Sequence, residues 1–194
     1  MRRFLALMLL MAAFFPANAR AHPHVWVGTA FSFVVAKGTV TGLRVEWAFD
    51  DFFSSSLLAD FDVNKNGRFE AEEVKVIEKK AFAKTGEQNW FTYIKLGDKT
   101  LKGLVPKEFS VDIRKKEVVY SFLLPLPEPV DPRKTPISVS YFEESYYIEM
   151  LPPKKDPVRF EGDGSLSCSA KADEDKSVKF YFNSVSPMRV TLKC

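Results

Sequence analysis

The segment formed by residues 62–73 constrains the fold more than any other stretch, because its oxygen-bearing side chains match a twelve-residue calcium-binding loop. Calcium prefers oxygen ligands, and such loops supply them from positions 1, 3, 5, 7, 9 and 12. Gly67 stands at position 6, where the sharp turn favours a residue without a Cβ atom. The predicted ligands are Asp62, Asn64, Asn66, the backbone carbonyl of Arg68, Glu70 through a water, and both carboxylate oxygens of Glu73. The simpler interpretation is an Asn-Gly turn that opens an acidic helix.

The flanking sequence predicts the two helices that such a loop requires. Apolar residues recur at helical spacing on both sides, at Phe53, Leu57 and Phe61 before the loop and at Val74, Ile77 and Ala81 after it. Asp50 or Asp51 is the expected N-cap of the first helix, and Gly86 the expected end of the second. The sequence therefore predicts a single EF-hand, a helix–loop–helix unit, at about residues 51–86. Because no second such loop occurs in the sequence, a structural role is favoured over calcium sensing.

The N-terminus has the pattern of a secretory signal peptide. Arg2 and Arg3 precede an apolar run at residues 4–15, which is too short to cross a membrane as a helix. Small residues at two overlapping cleavage sites follow, and we expect processing after Ala21 rather than after Ala19. No later stretch is long and apolar enough to insert into a membrane. The sequence therefore predicts a signal peptide at residues 1–21 and an exported, periplasmic mature protein.

Most of residues 22–194 alternates between apolar and polar side chains, as strands do. Short alternating runs are separated by turns, by a proline-rich connection at residues 125–132 and by a polar segment at residues 163–176 that we expect to be a loop. A late strand is expected at residues 178–182. This pattern predicts a mainly β (α+β) chain, folded as one antiparallel β-sandwich domain into which the EF-hand is inserted. An immunoglobulin-like arrangement is one version of that fold.

Charge and cysteine content restrict the classes of partner. The net charge of +3 falls to zero once the three arginines of residues 1–21 are removed, which argues against a nucleic-acid-binding surface. Cys168 and Cys194 are the only cysteines, and an even count in an exported chain predicts a disulfide bond between them.

The only two histidines, His22 and His24, stand at the start of the expected mature chain. Pro23 between them favours an extended backbone, in which residues i and i+2 point the same way. Two imidazoles, joined by the free amine of His22 after cleavage, suit zinc, nickel, cobalt or copper better than calcium. A frayed terminus that binds nothing is the alternative. Weaker candidates to complete the ligand set are Glu46, Asp50, Asp51, Glu143 and Glu144.

Several segments together resemble a known family. The relevant stretches are residues 22–27, residues 46–53, the calcium-type loop, residues 124–133, the pair Tyr146-Tyr147, residues 156–158 and the terminal cysteine. They resemble a family of exported bacterial proteins called domain of unknown function 1007, described as the periplasmic component of an uncharacterised ABC-type transport system. Asn64 and Asn66 stand where family members often have aspartates, which suggests weaker calcium binding. Glu143-Glu144 replaces an Asp-Pro pair, which puts a role of Glu143 in doubt. The resemblance implies association with nickel, cobalt or zinc transport.

These observations support three functional hypotheses. The first is a periplasmic accessory protein that binds a divalent transition metal through His22 and His24 and delivers it to a membrane metal permease or ABC-type transporter. The second is a calcium-stabilised structural or interaction domain in which the histidines are incidental. The third is an enzyme with a copper histidine brace at His22. Because the sequence offers no histidine outside residues 22–24 and no phosphate-binding glycine motif, we expect a protein that is not an enzyme.

Overall fold

Strands account for most of the regular structure in the part of the chain that the computed structural model describes, residues 23–152, 158–164 and 166–194. In chain order the elements are β1 (Val25–Ala36), β2 (Thr39–Phe49), α1 (Asp51–Phe61), α2 (Ala71–Lys80), a 3-10 segment (Phe82–Phe91), β3 (Thr92–Leu96), β4 (Lys99–Thr100), β5 (Lys107–Arg114), β6 (Glu117–Val130), β7 (Ile137–Tyr141), β8 (Ile148–Leu151), β9 (Val158–Gly162), β10 (Ser169–Glu174) and β11 (Met188–Lys193). The chain is therefore mainly β, as the alternating sequence pattern predicts.

The strands form two sheets, which is consistent with a β-sandwich. One sheet has the order β5-β6-β2-β1-β8, with β9 also paired to β1, and the other has the order β10-β11-β7-β3-β4. Neighbouring strands are antiparallel except that β8 and β9 run parallel to β1. The purely antiparallel arrangement expected from the sequence is therefore wrong at this edge. Strand direction cannot be read from alternation, because a period of two looks the same in either direction.

The core lies between the inner faces of the two sheets. Alternate residues of β1 and β2 face it, among them Phe31, Phe33, Val45 and Trp47, all of them buried. The Phe31 ring of the first sheet lies 5.1 Å from the Tyr141 ring of the second, measured between centroids. Each such side chain contributes roughly 1.5–3 kcal/mol on burial, so this apolar face fixes which side of each strand points inward.

Helix α1 begins directly after β2, because Asp50 caps it. One Asp50 oxygen accepts from the Phe53 backbone N–H at 2.9 Å and the other accepts from the Trp26 N–H at 2.9 Å. Buried Ser54 donates to the Phe49 carbonyl at 3.1 Å and accepts from the Val118 N–H at 2.9 Å. The start of α1 is therefore joined to β1, β2 and β6. No helix among the described residues is long and apolar enough to cross a bilayer.

The expected end of the second helix at Gly86 is wrong, since α2 ends at Lys80 and a 3-10 segment continues to Phe91. Gly86 does not take a positive φ, and a Cβ atom on it would lie 2.8 Å from the Trp90 ring. Gly86 therefore allows the Trp90 indole to pack closely against the backbone, and it does not cap a helix. Asn89, Trp90 and Phe91 take φ angles of +51°, +56° and +49°, which turn the chain into β3.

Three further segments differ from the sequence expectation. The proline-rich residues 125–130 belong to β6, where Pro125 lies opposite Gly42 and the register shifts before Val130 meets Val40. The polar residues 169–174 form β10, because they pair with β11, whose Val190 and Leu192 are buried in the core. Residues 181–183 form a left-handed turn with φ between +45° and +59° instead of a strand. In each case a pairing partner or a backbone angle overrides the local pattern.

The predicted disulfide bond is confirmed. Cys168 and Cys194 are bonded, with their Cα atoms 4.2 Å apart, next to the pair Ser169 and Lys193 of the β10–β11 hairpin. In the chain-entropy model a loop of this length contributes about 3 kcal/mol to stability. The bond closes the edge of the second sheet at the C-terminus.

Asp175 is a buried charge at the end of the same hairpin, with 1% of its surface exposed. Burial alone would raise the pKa of this carboxyl, but hydrogen bonds from Ser177, the positive charge of Arg189 and a hydrogen bond from Ser140 together hold the pKa below its ordinary value. Arg189 Nη1 lies 3.2 Å from Asp175 Oδ1. Because the folded-state pKa is lowered, the carboxylate stabilises the fold above the unfolded pKa of about 4, and this stability is lost as the pH falls through the folded value.

We expect Asp175→Asn to lower the free energy of unfolding at pH 7 by about 1–3 kcal/mol, the range for a hydrogen bond to a charged group. The difference from the wild type should begin to shrink as the pH falls below about 4, where the carboxyl of the unfolded chain becomes protonated, and should disappear once the pH is below the lowered pKa of the folded state. Urea unfolding at several pH values measures it. The matched control is Asp173→Asn, an exposed partner of Lys171, which should change stability by less than about 1 kcal/mol. A D175N deficit that does not depend on pH would contradict the charge-based explanation.

Candidate calcium-type loop and the histidine segment

The loop at residues 62–73 is organised by hydrogen bonds from its own backbone to the predicted ligands. Asp62 Oδ2 accepts from the Gly67 N–H at 2.8 Å and Asp62 Oδ1 from the Asn66 N–H at 3.1 Å. The Asn64 and Asn66 side-chain oxygens accept from the Asn66 and Arg68 N–H groups at 3.0 and 2.9 Å. Each oxygen still has a second lone pair after one such bond. The hydrogen bonds therefore fix the oxygens in place while leaving them able to contact a cation.

Gly67 has the backbone that its position in the motif predicts, with φ at +76°. A Cβ atom built there would meet nothing within 4 Å, so the backbone angle and not crowding is what favours glycine. Lys65, two residues earlier, is also left-handed at φ +58°. The two left-handed residues turn the loop back on itself, which brings its N–H groups over Asp62.

Glu73 joins the two ends of the loop. Its Oε1 accepts from the Val63 N–H at 2.8 Å, and its Oε2 accepts from the Glu70 N–H at 2.9 Å at the start of α2. Glu70 is exposed, and its Oε1 accepts from the Asn66 side-chain amide at 3.0 Å. Glu73, at position 12, therefore contacts the backbone of Val63 at position 2 and of Glu70 at position 9. These two hydrogen bonds by themselves close the loop.

Asp62 and Glu73 are carboxylates with little exposure, 8% and 9%. Among the described residues, no ion pair links either of them to a lysine or arginine. Carboxylates removed from water without a cationic partner are costly, so the arrangement favours a cation near them. With the amide oxygens and the Arg68 carbonyl, the donors are all oxygen, which is the chemistry of a calcium site.

The helices position this loop from both sides. Leu57 of α1 and Ile77 of α2 are buried in the main core, and Phe69 of the loop packs against it from the edge. The two predicted apolar stripes therefore face the sandwich and not solvent. They fix the direction in which each helix meets the loop.

In the histidine segment, residues 22–24, His24 lies immediately before β1 and contacts Tyr147, the residue before β8. Its backbone N–H donates to the Tyr147 carbonyl at 2.9 Å, and the centroid of its ring lies 4.8 Å from that of the Tyr147 ring. The expectation that the histidine segment is held near the sheet is therefore confirmed for His24. His22 lies outside the described residues.

Four of the five weaker carboxylate candidates are held by other groups, and the fifth, Asp51, is exposed. Glu46 pairs with Arg114 and Arg159, at 2.8 and 3.8 Å. Asp50 caps α1, and Asp51 is the exposed first residue of that helix. Glu143 accepts hydrogen bonds from the N–H groups of Ser145, Tyr147 and Ile148 and from the Ser145 hydroxyl. Glu144 accepts one from the Tyr93 hydroxyl. Within the described ranges, no three His, Cys, Asp or Glu side chains are grouped so that they could by themselves hold a metal ion, the acidic residues of the loop included.

Two of these carboxylates have a clear structural effect. Glu143 is 4% exposed and shapes the turn that leads into β8, because it accepts from backbone N–H groups two, four and five residues later. Burial, followed by the nearby Glu144 carboxylate, raises the pKa of Tyr93, so this hydroxyl stays protonated and donates. Both carboxylates are therefore explained by their local partners.

Sequence reasoning missed Glu149, which lies beside the histidine segment. Its Oε2 accepts from the Trp26 indole N–H at 2.9 Å, and its Oε1 accepts from the Tyr146 hydroxyl at 3.2 Å. Trp26 and Glu149 are register partners in the parallel β1–β8 pair. No local signal reveals that pairing, because it joins residues more than a hundred positions apart.

Comparison with known proteins gives relatives of unknown function. An uncharacterised 15.5 kDa protein in the trpE 3′ region of Spirochaeta aurantia is 29% identical over 135 residues, covering 68% of this chain and 93% of that protein. An uncharacterised protein of Haemophilus influenzae is 24% identical over 182 residues, covering 91% of this chain and 86% of that protein. No solved structure matches.

A family model matches residues 7–184, which is most of the chain and includes the calcium-type loop and the histidine segment. That family carries the description "Protein of unknown function (DUF1007)". The resemblance found from the sequence segments is therefore confirmed, and the chain belongs to the DUF1007 family.

Proposed function

We propose that this protein is an exported, periplasmic metal-binding accessory protein with a structural calcium site in the loop at residues 62–73 of an EF-hand at about residues 51–86. The observation that carries the calcium site is the pair of poorly exposed carboxylates, Asp62 and Glu73, which have no cationic side-chain partner among the described residues. Asn64, Asn66, the Arg68 carbonyl and Glu70 complete an all-oxygen donor set.

Calcium in this loop would act as a structural link and not as a signal. Asp62 and Glu73 are the charged ligands closest to the ion, whereas Asn64 and Asn66 are neutral and Glu70 binds through a water. Few charges favour affinity at the weak end of the range for such loops, on the order of 10⁻⁴–10⁻³ M, as in extracellular modules. This affinity suits an exported protein that meets plentiful calcium.

Export is supported by two features of different kinds. Residues 1–21 have the pattern of a signal peptide, although they lie outside the described residues. The Cys168–Cys194 disulfide bond is of the kind that persists in oxidising compartments. Together they support a periplasmic location.

The transition-metal role rests on the histidine segment. Two imidazoles and the amine of a processed N-terminus suit nickel, cobalt, zinc or copper. The His24 backbone is held against Tyr147, which limits the freedom of this segment. Because Glu46, Asp50, Glu143 and Glu144 have other partners, His22, His24 and the amine are the ligands we propose. The partner would be a membrane metal permease or an ABC-type transporter, to which the metal is delivered without catalysis.

The second candidate is a calcium-stabilised interaction domain that binds no transition metal. It is favoured by the absence of a cluster of three or more His, Cys, Asp and Glu side chains around His24 among the described residues.

A copper histidine-brace enzyme requires His22 to be the first residue of the mature chain. Mass spectrometry of the mature chain identifies that residue. An immunoglobulin-like form of the sandwich stays a prediction.

We expect calcium to bind the mature protein and to raise its melting temperature. At a calcium concentration ten times Kd, binding to the folded state alone adds about 1.4 kcal/mol to the free energy of unfolding. Glu73→Gln should abolish most of this gain, since it removes one of the two poorly exposed charges. Calorimetric titration and thermal melts measure both effects.

The matched control for the calcium experiment is Glu78→Gln, an exposed position on the same helix. It should melt and bind calcium like the wild type. Identical wild-type melting curves with and without calcium would count against a bound ion, even if Glu73→Gln is destabilised in both.

We expect the double variant His22→Ala/His24→Ala to lose binding of zinc, nickel, cobalt and copper by at least about tenfold, because no other imidazole is present. Calorimetry on the mature protein measures the binding. Glu73→Gln is the control, because it should lose calcium binding but keep transition-metal binding. Wild-type affinity for all four metals in the double variant would remove the transition-metal role and leave the interaction domain.

A further inference from the structure

An open groove of about 600 Å³ runs across the outer face of the first sheet, the face that points away from the core. The strand register shows how the groove is built. Gly28 of β1 lies opposite Ala48 of β2 and Leu151 of β8, and Ala48 lies opposite Val119 of β6. Small side chains therefore form the floor in the middle of this row, and larger apolar side chains stand at its two ends.

Gly28 has no side chain, and nothing in the backbone requires a glycine at this position. Its φ is not positive, and the β1–β2 register runs without a bulge on both sides of it. A Cβ atom built on it would meet only Ala48, at 3.7 and 3.8 Å, which is ordinary contact. Glycine weakens the interior of a strand, and it often marks a place where a ligand comes close to the backbone. The missing side chain thus leaves room for a ligand on the floor of the groove.

Trp26 and Leu151 form an apolar wall of the groove and are 44% and 37% exposed. The Trp26 indole N–H donates to Glu149 at 2.9 Å, which orients the ring. Single exposed hydrophobic side chains are common, but these two stand beside a floor of small side chains. Together with that floor they form an apolar surface on which a ring or an alkyl chain can lie.

The charged groups that line the groove are mostly acidic. Three carboxylates, Glu46, Asp50 and Glu117, stand against one cation, Arg114. Arg114 already pairs with Glu46 at 2.8 Å and with Asp112 at 3.0 Å. Both oxygens of Asp50 accept hydrogen bonds from backbone N–H groups. These contacts leave Glu117 as the carboxylate that a ligand can use.

Glu117 is half-buried, and among the described residues no ion pair links it to a lysine or arginine. A carboxylate partly removed from water without a cationic partner favours a positive charge beside it. The lining also carries more negative than positive charge. The groove is therefore complementary to a cation and unfavourable for an anion.

We propose that this groove binds an amphipathic organic cation, a molecule with an apolar ring or chain and one protonated amine. The apolar part lies on Gly28 and Ala48 beside Trp26, and the amine pairs with Glu117. Strands β1 and β6, which carry Trp26 and Glu117, are two strand spacings or about 10 Å apart, so the ligand is an elongated one. Neither His24 nor any residue of the calcium-type loop lines the groove, so this site is separate from the proposed metal sites.

The test compares 4-phenylbutylamine with 4-phenylbutanol and 4-phenylbutyrate, which share a ring and a chain and differ in charge. The indole N–H signals of the ¹⁵N-labelled mature protein report binding by NMR, and the three tryptophans give three signals. The amine should shift the Trp26 signal saturably and leave Trp47 and Trp90, which do not line the groove, unchanged. It should bind about three- to fivefold more tightly than the alcohol, the upper part of the range for an exposed ion pair, and the carboxylate should bind most weakly.

Two variants with matched controls locate the site. Glu117→Gln should remove the preference for the amine over the alcohol, whereas Glu128→Gln, exposed on the same strand outside the groove, should keep it. Ala48→Leu should weaken binding of the amine at least about tenfold by filling the floor. Ser110→Leu, exposed on β5 outside the groove, should not change that binding.

Equal affinity for the three probes, an unmoved Trp26 signal or an amine preference that survives Glu117→Gln would overturn the proposal. A wild-type dimer in sedimentation that Ala48→Leu dissociates would also overturn it, because a second copy of the chain would then cover the groove. Glu117→Gln changes a partly exposed side chain, so it keeps the proposal testable if Ala48→Leu does not fold.

Discussion

The arrangement of this molecule depends on one buried ring, Phe82, which joins the inserted helical segment to the sandwich. Its side chain is 3% exposed, and its ring centroid lies 4.4 Å from that of Phe109, 4.8 Å from that of Phe122 and 5.9 Å from that of Trp47. Aromatic pairs of this kind add to the large apolar area that each ring buries. Three strands of the first sheet, β2, β5 and β6, thus hold the segment that follows α2. The direction of α2, and with it the far end of the calcium-type loop, is set by this contact.

Polar contacts hold the other end of the insertion. Asp50 uses one carboxylate oxygen for the helix cap and the other for the Trp26 backbone, and Ser54 joins α1 to two strands. The two helices are therefore each anchored to the first sheet by their own contacts. The loop between them is closed by hydrogen bonds to Asp62 and Glu73, and both carboxylates are nearly buried. The calcium ion proposed for this loop would stiffen a connection that the fold already positions.

The functional residues differ in how far sequence could identify them. The loop is local: its candidate ligands lie within twelve residues, so the sequence could predict the left-handed turn at Gly67 and the two flanking helices, whereas calcium binding stays a prediction. The carboxylates proposed around His24 are not local. Glu46 binds arginines, Glu143 binds backbone N–H groups, and Glu149, which does lie beside the segment, comes from a strand paired in parallel across the edge. Short-range patterns carry no information on which distant partner satisfies a charge.

The sequence by itself determined the mainly β character, the two helices, the disulfide pair and the position of the calcium-type loop, because these follow from periodicity, residue type and count within short windows. Tertiary structure decided the rest. Strand pairing places the proline-rich segment in β6 and the polar segment in β10, and β8 and β9 pair in parallel with β1. Gly86 packs against Trp90 and does not end a helix. Tertiary structure also left the buried Trp47 indole N–H and Tyr120 hydroxyl without a hydrogen-bond partner among the described residues. The physical reason is that strand pairing and core packing are contacts between residues far apart in the chain, whose energies outweigh local preference.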